Sequence, residues 1–440
     1  MTIRPSEVHE QLSRHLLVDG FDLVLDTRRS QGSRLVDARD GTAYLDFFTF
    51  FASSPLGMNP PQLTGDREFL ERLAAAAVNK PSNSDVYTTD LAEFVTTFER
   101  VLGIGELPRL FLIAGGALAV ENALKAAFDF KQRHNAQHGR DPERGTRVLH
   151  LTRAFHGRTG YTLSLTNTDP RKVARFPKFD WPRIDVPAVR FPLAAHLDEV
   201  VAAERHALAQ ARAAFERHPD DIACFLAEPI QGEGGDNHLR PEFLQAMQAL
   251  CHEHDALLVL DEVQTGVGVT GSAWCHQQLG IEPDLVAFGK KAQVCGVMGG
   301  RRIEETGDNV FTESSRINST WGGNLVDMVR ATRVLEVIED EDLIPRAGKL
   351  GAHLLEGLHD LAGAHPGLVD NVRGRGLLCA FDLPDAGARD ALVAQLFSAE
   401  RVLLLGSGER SVRFRPHLAV TADELDAGLA ALHRVLRRLR

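Results

Sequence analysis

Short apolar runs alternate with longer amphipathic segments through the middle of the chain. Runs of about five apolar residues are typical of strands buried on both faces of a parallel sheet. The segments between them repeat their apolar positions with the period of a helix. The predicted strands are 110–113, 147–151, 222–227, 256–260 and 284–288, and the predicted helices are 120–131, 198–218 and 241–254. The pattern predicts an α/β fold with a mostly parallel sheet flanked by helices.

The two ends of the chain have a different pattern. Near the N-terminus, two strand-like pieces at 21–25 and 43–48 flank a turn. Past residue 330, predicted helices at 345–364, 389–400 and 421–439 mix with short strands at 377–382 and 412–415, and the last helix opens with a capping box at Thr421. We therefore expect a large domain over 61–328 and a smaller α+β domain formed by residues 1–60 and 329–440.

Composition and charge narrow the class of protein. The 440 residues are 44% hydrophobic and 25% charged, as in an ordinary globular enzyme. The net charge of −11 argues against nucleic acid, and no apolar run is long enough to span a bilayer or serve as a signal peptide. Five scattered cysteines without a C-x-x-C pair indicate reduced thiols and no metal site. We expect a cytoplasmic enzyme without membrane or nucleic-acid partners.

One acid and one amine each lie at the end of a predicted strand. Asp261 follows 256–260, and Lys290 follows 284–288 and a glycine. Strand ends of this kind meet at one edge of a parallel sheet, where ligands collect. Pyridoxal phosphate chemistry needs both groups: an amine to form a Schiff base with the cofactor aldehyde, and an acid to keep the pyridine nitrogen protonated. Alone, each has a simpler interpretation, as a cap or a solvated lysine, and Lys291 leaves the choice of lysine open.

A phosphate site is also indicated. The glycines at 115–116 follow the strand 110–113 and open a helix, where backbone N–H groups can hold a phosphate. A plain tight turn is the alternative. The hydroxyl-rich segment 318–324 is a second candidate, although such a segment alone is usually a loop.

Aromatic and arginine side chains supply further candidates. Phe155 and His156 could stack on a flat ring, and Arg158 could bind a carboxylate. Arg413 and Arg415 offer further carboxylate partners late in the chain. The alternatives are a core aromatic and a solvated face.

Six motifs, in order, resemble those of class III (subgroup II) aminotransferases, which are fold-type I pyridoxal phosphate enzymes. They are G-G-A near 115, F-H-G-R near 155, E-P-I-Q-G-E-G-G at 228–235, D-E-V-Q-T-G at 261–266, F-G-K at 288–290 and S-T-W-G-G-N at 319–324. Two positions depart from the wider family pattern. Val269 replaces an arginine, and 115–117 lacks the hydroxyls of the usual phosphate turn.

The resemblance implies pyridoxal 5′-phosphate as cofactor and gives each site residue a role. Lys290 carries the cofactor and moves the proton, while Asp261 pairs with the ring nitrogen. The other residues implied at the cofactor are Gly116 and Ala117 at the phosphate, Phe155, His156 and Val263 at the ring, Gln264 at its hydroxyl, and Thr320 from the neighbouring subunit of a homodimer with shared active sites.

Stretches at 79–87, 117–125, 176–182 and 289–296 resemble the branch of the family that acts on lysine. This resemblance implies ping-pong transfer of the terminal amino group of L-lysine to 2-oxoglutarate. Arg158 would bind the lysine carboxylate, and Arg413 would bind a carboxylate of 2-oxoglutarate, with Glu233 masking Arg413 when lysine is bound. Gln264, Asn318 and the bulky Phe51 would complete the substrate site.

Three alternatives stay open at this point. Another ω-amine, such as ornithine or 4-aminobutyrate, could be the donor. A pyridoxal enzyme could instead catalyse decarboxylation or racemisation, without need of a keto acid. A binding or scaffold protein on this fold would hold no cofactor.

Overall fold

A seven-stranded sheet with helices on both faces forms the centre of the computed structural model, which describes residues 3–439. Residues 1, 2 and 440 of the predicted domains lie outside this range. The helices are α1 (Val8–Ser13), α2 (Thr49–Ala52), α3 (Pro61–Thr64), α4 (Arg67–Ala77), α5 (Thr89–Leu102), α6 (Gly116–Gln137), α7 (Gly160–Leu165), α8 (Leu193–Arg217), α9 (Pro241–Glu253), α10 (Leu325–Asp340), α11 (Leu343–Ala364), α12 (Ala386–Gln395) and α13 (Ala422–Arg438). The strands are β1 (Arg34–Val36), β2 (Ala43–Asp46), β3 (Arg109–Ile113), β4 (Arg147–Leu151), β5 (Arg183–Ile184), β6 (Ile222–Ala227), β7 (Ile230–Gln231), β8 (Asn237–His238), β9 (Leu257–Asp261), β10 (Leu285–Phe288), β11 (Cys295–Gly299), β12 (Asp370–Arg375), β13 (Leu378–Asp382), β14 (Val402–Leu403), β15 (Leu405–Ser407) and β16 (Ser411–Phe414).

The strand order of the large sheet is β3-β11-β10-β9-β6-β4-β5, and β11 alone runs antiparallel to its neighbours. Successive side chains of a strand point to opposite faces, so both faces of this sheet are apolar. In β9, Leu258 and Leu260 join one buried cluster, and Leu257 and Val259 join the other. The predicted α/β fold with a mostly parallel sheet is confirmed.

The antiparallel strand β11 was not predicted. Its sequence, Cys-Gly-Val-Met-Gly, has neither alternation nor a long apolar run. Glycines weaken an isolated strand, but they allow close backbone approach. A β-carbon at Gly296 would lie 2.3 Å from the Phe111 carbonyl oxygen, so the flanking strands select glycine here.

The predicted strand at 21–25 is wrong. Only Leu25 makes an isolated bridge, to Asp37, and the rest of the segment pairs with no strand. Its apolar side chains instead pack on a small cluster of buried residues that includes Leu35 and Tyr44. Side-chain burial explains the apolar pattern without a ladder of backbone hydrogen bonds.

Segments from both ends of the chain share one sheet, since β14 pairs parallel with β2 in the order β1-β2-β14. A four-stranded sheet, β12-β13-β16-β15, lies in the C-terminal part. The division of the chain at 60/61 and 328/329 stays a prediction, and position 328 falls within α10, which packs on α5. No helix within residues 3–439 is both long and apolar enough to cross a membrane.

The turn α2 is left-handed. All four residues have positive φ, from 42° at Thr49 to 66° at Ala52. For L-amino acids this conformation costs about 1–2 kcal/mol per residue, so other contacts must hold it. Asp46 Oδ1 accepts the N–H groups of Phe48 and Thr49 at 2.8 and 2.9 Å, and the Thr49 hydroxyl donates to the Arg415 carbonyl at 2.5 Å.

Candidate active site

A cavity of about 640 Å³ opens where β6, β9 and β10 end. The carboxyl ends of neighbouring parallel strands are a usual place for ligands. Most of the predicted site residues lie in its wall. The lining residues that belong to the predicted set are Phe51, Gly116, Ala117, Phe155, His156, Arg158, Glu233, Asp261, Val263, Gln264, Lys290 and Arg413.

Asp261 ends β9 and is almost fully buried. Its Oδ2 lies 2.8 Å from His156 Nδ1, and its Oδ1 accepts the Val263 N–H at 3.1 Å. The imidazole therefore orients the carboxylate and contributes a hydrogen bond to it. A neighbouring acid, Glu228, accepts the N–H groups of Phe155 and Gly232, each at 3.0 Å. Burial raises the pKa of Glu228 to about 7, and the charge of Asp261 contributes to that shift.

Lys290 lies in the cavity wall directly after β10. Burial and the charge of Arg413 lower the pKa of Lys290, although Asp261 opposes the shift. A lowered pKa suits an amine that must act as a nucleophile and base near neutral pH. Lys291 points elsewhere, because its Nζ donates to the Ala52 carbonyl at 2.8 Å and its side chain is fully buried. Of the two lysines, the geometry favours Lys290 for the chemistry.

The glycines at 115–116 form the start of α6, a helix of 22 residues. Its free N–H groups and dipole favour an anion. The space beside them is narrow: a β-carbon at Gly116 would lie 3.0 Å from Val263 Cγ1, and one at Gly157 would lie 2.5 Å from Ala117 Cβ. The two glycines therefore allow Val263 and Ala117 to pack closely around the helix start.

Glu233 lies between two cations. Its Oε2 accepts from Arg413 Nη2 at 2.9 Å, and its Oε1 accepts from Lys172 Nζ at 2.7 Å. Burial raises the pKa of Glu233, but the charges of Arg413 and Lys172 outweigh burial and hold the pKa below its usual value. Lys172 also donates to Thr168 Oγ1 at 3.1 Å. Glu233 is thus ionised and has a second partner besides Arg413.

Arg413 and Arg415 have different partners. The Arg413 side chain is 3% exposed, yet its Nε and Nη1 have no hydrogen-bond partner within the described chain. Buried donors of this kind need a partner, which points to an anionic ligand. Arg415 is occupied: it pairs with the buried Asp236, and its Nε donates to Gln264 Oε1 at 2.9 Å. Arg415 therefore orients Gln264, and Arg413 is the arginine that remains for substrate.

Two predicted residues lie outside the cavity of this chain. Asn318 and Thr320 are exposed on the loop before α10. Phe51 and Arg158 lie in the cavity wall, and both are exposed. Arg158 has no ion-pair partner among residues 3–439, so its guanidinium is available to a carboxylate.

Three residues that contribute to the site were given no role by the resemblance, although Arg415 was a candidate carboxylate partner and Glu228 lies in one of the six motifs. Lys172 and Arg415 act on Glu233 and Gln264, and Glu228 lies beside Asp261. Glu228 carried a usable signal, since it directly follows the last residue of β6 as Asp261 ends the neighbouring β9. Lys172 lies in an ordinary polar loop, and no local pattern marks it.

These residues fit pyridoxal phosphate. Lys290 supplies the amine, Asp261 the acid, and the start of α6 the phosphate donors. His156 Nε2 and two nitrogens of Arg413 are buried without a partner, which indicates room for polar atoms of bound molecules. No group of three or more His, Cys, Asp or Glu side chains within residues 3–439 is placed to hold a metal ion.

Comparisons with known proteins agree with this chemistry. The sequence profile described as aminotransferase class-III matches residues 19–436. L-lysine-epsilon aminotransferase of Mycobacterium tuberculosis is 62% identical over 434 residues, which cover 98% of this chain and 96% of that protein. The L-lysine-epsilon aminotransferase of Amycolatopsis lactamdurans is 62% identical over 426 residues, covering 97% and 94%. A solved structure of lysine aminotransferase from M. tuberculosis in the internal aldimine form superposes with a TM-score of 0.98 at 61% identity, covering 100% of both chains.

Proposed function

The chain belongs to the class-III aminotransferases, and from that premise we propose that it transfers the ε-amino group of L-lysine to 2-oxoglutarate. The products are 2-aminoadipate 6-semialdehyde and L-glutamate, formed in two half-reactions. The enzyme depends on pyridoxal phosphate, which accepts the amino group from the donor and passes it to the keto acid.

One observation carries the choice of substrates: Arg413 lies in the cavity wall with Lys290, and Glu233 covers it. A single cavity must accept a cationic donor in one half-reaction and a dicarboxylate in the other. With Glu233 in place, the arginine charge is neutralised for lysine. When Glu233 turns away, the free guanidinium can bind the distal carboxylate of 2-oxoglutarate.

Lys172 supports this movement. It already binds Glu233 Oε1 at 2.7 Å, so a glutamate that leaves Arg413 keeps a cationic partner. Without such a partner, a partly buried carboxylate would lose its counter-charge when the substrate takes Arg413. Lys172 thus lowers the electrostatic cost of moving Glu233 away from Arg413.

Lys290 and Asp261 have separate roles at the cofactor. Lys290 Nζ would hold the cofactor and would remove the proton from Cε of the donor lysine. Burial and the charge of Arg413 lower the pKa of Lys290, which favours the neutral amine over the charged one. Asp261, oriented by His156, holds the proton on the ring nitrogen. The distal end of the donor reaches Arg158, which binds its carboxylate.

A homodimer would complete the site. Asn318 and Thr320 are exposed on a loop outside the cavity, where they could serve the site of a second copy. A mixture of Lys290→Ala and Thr320→Ala subunits tests this arrangement. Hybrid dimers that share sites would regain one intact site, whereas isolated subunits would stay impaired.

The five cysteines form no disulfide, which supports a reducing compartment such as the cytoplasm.

The amino-donor profile with 2-oxoglutarate as acceptor tests the activity. We expect purified enzyme to turn over lysine faster than ornithine or 4-aminobutyrate. Equal or faster turnover of ornithine contradicts the lysine assignment. Turnover without a keto acid would indicate decarboxylation or racemisation, and a colourless preparation would indicate a protein without cofactor. Lys290→Ala should abolish the visible band that borohydride reduction otherwise traps on the chain.

A further inference from the structure

Lys291 follows Lys290 directly but points out of the cavity. Its side chain is 1% exposed, and its Nζ donates to the Ala52 carbonyl oxygen at 2.8 Å. Within residues 3–439 this nitrogen has no other hydrogen-bond acceptor and no carboxylate partner. The proposed chemistry leaves the amine without a task.

Burying an amine that makes a single hydrogen bond costs free energy of folding. Burial, together with the cations of Arg415 and Lys290, holds the pKa of Lys291 well below its usual range. A methionine would fill a similar volume without this cost. The amine contributes one thing that an apolar side chain cannot, the bond to Ala52.

Ala52 is the last residue of the left-handed turn α2, which brings Phe50 and Phe51 to the cavity wall. Such a conformation persists only where its surroundings fix it. Asp46 and Arg415 hold its first half through Thr49.

The second half of the turn is held from the lysine segment. Lys291 binds Ala52, and Gln293 Nε2 donates to the Ser53 carbonyl at 2.7 Å and to the Lys290 carbonyl at 3.1 Å. About 240 positions separate the two segments along the chain, so these bonds connect parts that the chain itself does not. They set where Phe51 lies relative to Lys290.

We propose that Lys291 is a positioning residue that ties the left-handed turn of Phe51 to the segment of Lys290 and thereby fixes the donor-binding wall of the cavity. It does not touch the reacting atoms. The inference rests on the proposed function in one respect, that an amine donor passes Phe51 on its way to Lys290.

The test compares two buried lysines. Lys131 is 0% exposed, and its Nζ also donates to one backbone carbonyl, that of His254, at 2.8 Å. It lies in α6 and outside the cavity wall. Lys291→Met and Lys131→Met therefore remove the same kind of bond in two places. We expect both holoenzymes to fold, because methionine fills the volume of the buried lysine, and their melting temperatures check this.

Only Lys291→Met should raise the KM for the donor, by roughly tenfold or more, because small displacements of a binding wall are costly. The KM for 2-oxoglutarate and the visible cofactor band should stay unchanged. A wild-type donor KM in the folded Lys291→Met holoenzyme overturns the proposal, whatever its melting temperature.

Gln293→Leu provides a second variant should Lys291→Met fail to fold. It breaks the neighbouring bond to Ser53, and we expect the donor KM to rise here as well. An unchanged donor KM in this variant overturns the proposal. All measurements use the amine that the wild-type enzyme turns over best. A wrong lysine assignment would then appear as a different best donor and leave the comparison intact.

Discussion

Glu233 Oε2 accepts a hydrogen bond from Arg413 Nη2 at 2.9 Å, although 180 positions separate the two residues along the chain. Both residues line the cavity together with Lys290. Because the other two nitrogens of Arg413 have no partner within the described chain, the guanidinium retains donors for a substrate carboxylate.

Glu233→Gln keeps the size of the side chain and removes its charge. The uncovered charge of Arg413 should then oppose the cationic donor, and we expect the KM for lysine to rise about tenfold, or ~1.4 kcal/mol. The KM for 2-oxoglutarate should stay equal or fall. Single-turnover measurements of each half-reaction separate the effects, and equal changes in both would contradict the masking role.

Lys172→Met leaves Glu233 with Arg413 as its remaining cation. The pair with Arg413 should tighten, so we expect the KM for 2-oxoglutarate to rise roughly tenfold while the lysine half-reaction changes little. Lys178→Met is a matched control, since Lys178 lies on the same loop and donates only to backbone carbonyls. A weakened lysine half-reaction with normal use of 2-oxoglutarate would disprove this prediction.

Asp261→Asn removes the carboxylate that we propose for holding the proton on the ring nitrogen. We expect kcat to fall by about 10²–10⁴-fold, the range typical of a lost acid or base. The visible cofactor band should remain, because Lys290 is intact. Steady-state kinetics with lysine check the prediction, and a kcat within a few-fold of wild type would show that another group supplies the acid.

Asp46 gives the fold a pH dependence that can be measured. Burial raises the pKa of this carboxyl to about 6, from an ordinary value of 3.8. The folded state therefore binds the proton more tightly than the unfolded chain. The stability that this tighter proton binding at Asp46 contributes is complete below about pH 4 and is lost as the pH rises through about 6.

Asp46→Asn should remove this dependence. The Asn oxygen can still accept from the N–H groups of Phe48 and Thr49, as Asp46 Oδ1 does. The free energy of unfolding of the variant, relative to that of wild type, should increase from pH 4 to pH 7 by up to roughly 3 kcal/mol. Melting temperatures of both holoenzymes at these two pH values give the difference. A constant difference would show that Asp46 does not titrate in this range.

The sequence predicted the strands whose patterns are strong. Continuous apolar runs at 222–227 and 256–260 form β6 and β9, because a strand buried on both faces needs no polar positions. The capping box at Thr421 is also present, with Glu424 Oε2 accepting the Thr421 N–H at 2.9 Å. The glycine-rich strand β11 was not predicted, because it forms only by pairing with strands β3 and β10.

The sequence also predicted the cofactor chemistry. An acid and an amine at two strand ends, 29 positions apart, must meet at one edge of a parallel sheet. The strand pattern alone left the choice between Lys290 and Lys291 open, and the resemblance, through F-G-K at 288–290, indicated Lys290. Tertiary structure adds the physical reason, because it places the Lys290 amine at the cavity and directs the Lys291 amine to the Ala52 carbonyl. Tertiary structure also shows that Arg413 keeps unpaired donors while Arg415 pairs with Asp236. Ion pairs depend on distances in space, which no local sequence pattern records.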